Sequence, residues 1–267
     1  MKWLVLAALG AGSPDAATVP LSQPCILEVG STVGTHATRE LAKVLGDAPV
    51  KDEFLSTDQH SAQIDAFVAS LPAPAREGQL CVSPIADQAI FDYDADKQLL
   101  WVNVEAASGT RAFRSSTGKI TVRDVVSDEW DTVLADRVLT NALGVSVDGI
   151  SSTSKTASVG FTTTQMGAFH QQLQYHRFKS AFPSKAFSMP METSVAREVK
   201  PHAAIVYQYR LRSPLVAKGT DVHAATMDSP VSFAVEKSVV LADLVAVGIV
   251  DGRTGEVLAV IHTEEKK

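Results

Sequence analysis

Hydrophobic positions in the first third of the chain recur with a period near 3.6, and from Gln79 onwards the period falls towards 2. "CILEVG" (residues 25–30) reads as a strand, and a helix is predicted from about Thr35 to Leu45. Ala37, Leu41, Val44 and Leu45 share one face there, Arg39, Glu40 and Lys43 face out, and Gly46 stops the helix. A second helix opens with Ser56 as cap and Gln59 three residues on, the capping-box spacing. It carries Ile64, Phe67, Val68 and Leu71 as its apolar stripe and ends at Pro72, after which "LPAPAREG" is expected to be an exposed connector.

Beyond it, "QLCVSP", "AIFDY", "QLLWVNV" and "KITVRDVV" read as strands separated by turn residues. "SDEWDTVLADRVLTNALG" fits two patterns: Ser127 as a cap with Trp130, Val133, Leu134 and Val138 suggests a helix, whereas its end could continue as strand. "VSVDGISSTSKTASVGF" suggests two strands around a polar turn, residues 165–182 suggest a helix, and Ser188 is expected to cap a short helix holding Met191, Val195 and Val199. The last third, "AAIVYQYRL", "VSFAVEKSVVLADLVAVGIV" and "EVLAVIHT", is strand throughout. Strands as uniformly apolar as "SVVLADLVAVGIV" must be covered on both faces. The predicted fold class is α+β: a largely antiparallel β-sheet or sandwich with two amphipathic helices near the N-terminus. The expected organisation is one mixed domain over residues 18–267, with residues 151–164 as the alternative boundary.

The amino terminus changes the picture of where such a domain works. Lys2, an apolar run from Trp3 to Leu9 and then small and turn residues have the layout of a secretory signal peptide, with cleavage expected near Ala17. The run is shorter than the ~20 residues a membrane span requires, so no transmembrane span is expected once the leader is removed. Cys25 and Cys81 are the only cysteines, and in an oxidising compartment they are expected to form a disulfide closing a 56-residue loop. Periplasmic or secreted localisation follows as the expectation.

Candidate chemistry is sparse. Asp92, Asp94 and Asp96 alternate as in the opening of a calcium loop, but the sixth and twelfth places hold Lys97 and Asn103 instead of Gly and Glu. "VAVGIVDGRTGEVLAVI" has the same strand-turn-strand plan without the carboxylates, with Asp251 and Gly255 as turn residues. The three aspartates are therefore read first as hairpin residues and only secondarily as a metal site. His170 and His176 lie six apart and do not share a helix face, and His36, His60, His202, His223 and His262 occur singly. Zinc, nucleophile-elbow and P-loop spacings are missing, and no cofactor is expected. "GSTVGTH" is read as a loop and helix cap rather than a phosphate cradle.

The formal charge of -6 is spread along the chain without a basic block, which argues against nucleic acid as a partner. "VDGRTGEVLAV" resembles the terminal hairpin of many bacterial envelope proteins, a likeness carried by turn residues and confined to that hairpin. The function expected is a non-catalytic interaction or scaffold module whose partner is another envelope protein. The alternative is a hydrolase assembled only in the fold, with His170, His176 or His223 as base, which requires a concave pocket holding a histidine beside a serine or carboxylate.

Overall fold

The computed structural model describes residues 17–85, 90–105, 108–115, 118–178 and 183–263; the leader falls on residues outside these. The first third holds two short parallel strands, β1 (Thr18–Val19) and β2 (Thr35–His36), and three helices, α1 (Thr38–Leu45), α2 (Thr57–Ser70) and α3 (Ala73–Glu77). Of the stripe expected in α1, Leu41 and Leu45 are buried, together with Ala42, whereas Val44 is exposed and Ala37 is the N-cap; the Gly46 N–H closes the end on the Ala42 carbonyl. α2 has the reciprocal Ser56 and Gln59 capping bonds, yet none of its side chains is fully buried. Ile64, Phe67 and Val68 only lean on the core, so the second helix is capped as its sequence implies but docks shallowly. The connector expected after it is α3, with Pro74 and Ala75 buried and Gly78 left-handed.

The remaining elements are mostly strands: β3 (Leu80–Val82), β4 (Ile90–Asp94), β5 (Leu99–Asn103), β6 (Gly109–Ser115), β7 (Gly118–Thr140) and β8 (Ser146–Thr162). After them come helix α4 (Thr163–Gln171), β9 (Gln174–His176), β10 (Ser184–Pro190), helix α5 (Thr193–Val199), β11 (Ala203–His223), β12 (Val231–Asp251) and β13 (Glu256–His262). Several readings change: the helix expected from Thr35 begins at Thr38, with Thr35 and His36 in β2. Ser188 lies in β10 and Glu192 takes the N-cap place before α5. The segment 25–30 pairs with no ladder and is held by the Cys25 N–H on the Gln79 carbonyl and the Leu27 N–H on Gln208 Oε1. The stretch 151–164 covers the second half of β8 and the first turn of α4.

Most neighbouring strands pair antiparallel, and β12 organises the larger sheet. One of its edges pairs with β11 from Phe233 to Asp251, while the other runs parallel to β8 over Val231–Ala242 and then antiparallel to β13. β8 pairs with β7, β7 with β6, and β6 meets β11 at Ser115/Ala217 and Arg114/Lys218, so β12, β8, β7, β6 and β11 close into a ring. Facing the ring's interior are Phe113, Val122, Ala217, Val239 and Leu241, all buried. Gly160 is required there, since a Cβ would come within 2.7 Å of Val239 Cγ1 and 2.8 Å of Val122 Cγ2.

The principal core lies on the other face of these strands. Val240, Ala242, Val159, Phe161, Ile205 and Tyr207 pack there with α1, with Met166 and Phe169 of α4, and with Leu100 and Val102 of the smaller sheet β4–β5–β10–β9. The carboxy-terminal half of β12 is covered on its second face by Leu27, Val33 and the disulfide. This is how the uniformly apolar "SVVLADLVAVGIV" is buried twice over.

Candidate functional site

The residues singled out by sequence fall in several separate places. Asp92 and Asp94 are on β4 and Asp96 is in the β4–β5 turn. Asp94 accepts the Lys97 N–H and pairs with its ammonium, which holds the carboxyl below its ordinary range. Asp92 turns elsewhere, to His176 Nε2 at 3.2 Å and Lys200 Nζ at 3.9 Å. Among the described residues no three His, Cys, Asp or Glu side chains converge as ligands of one ion. The second hairpin has the expected chemistry: Asp251 accepts the Arg253 N–H and guanidinium, while Gly255 takes φ +73°.

Cys25 and Cys81 are bonded, joining the amino-terminal segment to β3. Buried His36 stands beside the bond. Its Nδ1 accepts the Cys81 N–H and its Nε2 lies 2.9 Å from the Gln23 carbonyl, which fixes the neutral Nε2–H tautomer. Burial lowers its pKa further. His170 on α4 accepts from Arg123 Nη1 at 2.8 Å through Nδ1, and burial together with that guanidinium lowers its pKa too. A histidine so engaged has lost the lone pair a general base requires. His176 stacks on Trp101 at 4.3 Å with Phe178 edge-on, and His223 stacks on Phe233.

Because both His36 and His170 titrate lower in the fold than when unfolded, their neutral forms stabilise the protein above about pH 6.5 and that contribution is lost as pH falls. The urea midpoint is therefore expected to fall between pH 8 and pH 5.5; a midpoint that rises or stays level over that interval contradicts these environments. Buried Asp124 has the opposite sign, its pKa raised by burial against the pull of Arg111 and Lys237, and it acts at lower pH.

Two surface cavities are large, and neither is lined by His170, His176 or His223. One, of about 690 Å³, lies by Arg210, Asp243 and His262. The other, of about 1220 Å³, is cationic, with Arg114, Lys119, Lys155, Lys218 and Lys237 in its wall against Glu236. Lys155 is paired with Asp131. Lys237 is held within the ring by Asp221, which also takes Arg111 Nη1 at 2.6 Å, while Arg111 Nε reaches 3.3 Å from Asp124. Of these paired cations only Lys237 is buried, and its burial is offset by the Asp221 carboxylate.

The largest unexplained surface is an arm. β7 beyond Asp131, the start of β8, the end of β11 and the start of β12 continue past the core as a four-stranded ribbon. Leu134, Ser152, Phe233 and His223 form one cross-strand row, and Asp136, Ile150 and Val231 form the next on the same face. Leu134 is 69% exposed, Val138 64%, Val222 71% and Leu143, in the tip loop, 89%. With Val133, Val145, Ile150, Val231 and Phe233, the arm holds more than half of the exposed large hydrophobic side chains among the described residues. Nothing in the sequence marked it, because its apolar residues are interleaved with Ser, Thr, Asp and Gly and come from two segments, 133–150 and 222–233, that are distant from each other in the chain. No family model, curated protein or solved structure matches the chain.

Proposed function

We propose that the chain is an exported, non-catalytic interaction module of a bacterial envelope and that the arm is its contact surface. The observation that carries this reading is the concentration of exposed apolar side chains at the distal end of strands that elsewhere contribute to the core. Exposed apolar side chains gathered on one ribbon favour association, because covering them removes hydrocarbon from water. The Cys25–Cys81 bond supports an oxidising compartment.

The chemistry of the arm favours protein over lipid as the occupant. Asp136 stands opposite Ile150, and Asp148 stands opposite Val138 on the same face. Carboxylates interleaved with the apolar rows are costly in hydrocarbon but can be paired by a protein partner. No described helix is long and apolar enough to cross a membrane.

Photo-crosslinking amino acids at Leu134 and Leu143, with exposed Phe54 as control, test the proposal in intact envelopes. The expected result is a discrete protein adduct from both arm positions and none from Phe54. Lipid adducts alone, or a protein adduct only from Phe54, overturn it.

A further inference from the structure

The cationic cavity contains an arrangement that local stability disfavours. Lys119 of β7 lies directly opposite Arg114 of β6, and Arg114 directly opposite Lys218 of β11. Directly opposed residues share a face, so three positive side chains stand in one row across three strands. All three are exposed. Among the described residues none has a carboxylate partner, whereas Lys155 and Lys237 in the same wall each have one. Like charges directly opposite one another cost stability, and a row of three compounds the cost. On a chain of net charge -6 the concentration is local rather than a consequence of composition.

The rest of the wall says what kind of anion suits the row. Neighbouring strands are about 4.8 Å apart, so the three cations present a line about 10 Å long with one charge per strand spacing. Ser238 continues that line opposite Lys218, and the next row is Thr220, Glu236, Lys155 and Trp130. The single carboxylate Glu236 thins the positive field beside the row, a feature that penalises a densely charged phosphate chain. Hydroxyl groups, and the indole of Trp130 with the Arg39 guanidinium 4.7 Å over one face of its ring, suit a chain of sugar rings. We propose that this cavity binds a linear carboxylated polysaccharide, its carboxylates spaced along Lys119, Arg114 and Lys218 and its sugar rings laid against Ser238, Thr220 and Trp130. The site is distinct from the arm and stands or falls independently of it.

Calorimetric titration of the full chain with a hexameric oligogalacturonate at low salt tests this, with a neutral dextran oligomer and inorganic polyphosphate as the other arms. Binding of the uronate is expected, weakening as salt is raised, with no heat from dextran and weaker binding of polyphosphate. Arg114→Glu and Lys218→Glu are expected each to weaken uronate binding roughly tenfold or more, while Lys218→Arg retains it. Thermal melting of each variant separates lost binding from lost fold, since all three side chains are exposed. No uronate binding at low salt, polyphosphate binding as tight as uronate, or charge-reversed variants that fold and bind unchanged would each overturn the proposal.

Discussion

Replacing Cys25 and Cys81 together by alanine is expected to lower the unfolding free energy by about 4 kcal/mol, the chain-entropy value for a closed loop of this length. The bond ties a segment that belongs to no ladder to the edge strand β3, so without it the segment 25–33 relies on a few hydrogen bonds and on Leu27 and Val33. Its loss also loosens the Cys81 N–H that fixes His36. Urea denaturation of the oxidised chain, the chain in reductant and the double variant measures the effect. The two bond-free forms should unfold at similarly reduced urea concentration. Midpoints that coincide with the oxidised chain would show that the bond does not constrain the unfolded state.

Phe161→Ala is expected to cost about 3–5 kcal/mol, the range for removing a fully buried aromatic ring. Phe161 has no exposed surface and meets the rings of Tyr207 at 5.9 Å and Tyr209 at 6.5 Å. It joins β8 to β11 across the strand that separates them, on the face where the principal core lies. Both tyrosines are fully buried, and burial pushes their hydroxyl pKa values up, so both stay protonated beside the cavity that the ring would leave. A loss below about 1 kcal/mol in the same urea assay would mean that the two layers are not coupled through this ring.

What the sequence conveyed depended on whether its periodicity survived folding. The terminal hairpin is legible because Asp251 and Gly255 perform local turn chemistry that needs no distant partner. α1 is legible in part, with Leu41 and Leu45 buried as expected but Val44 exposed and the first turn beginning at Thr38 rather than Thr35. β7 is not, and the cause is specific. Its ladder to β8 shifts between Val126 and Asp128 and again between Trp130 and Val133, with Asp131 at positive φ. Each inserted residue changes the phase of a period-2 pattern, so that Trp130 and Val133 fall three apart and imitate a helix. β8 imitates two strands because Ser154, Thr156 and Ser158 resemble a turn; they are buried small hydroxyls instead, facing the ring interior. The cationic row escaped because Lys218 is remote in sequence from Arg114 and Lys119, and only ring closure sets them side by side.

The central claim is that the arm is exposed in order to be covered by a partner protein. Its most direct test is the double variant Leu134→Glu, Phe233→Glu, which places two charges in one row of the arm and leaves the principal core untouched. Carrying the photo-crosslinker at Leu143, this variant is predicted to melt within a few degrees of the parent and to lose the protein adduct that the parent forms. An adduct of undiminished yield from a folded double variant would contradict the account.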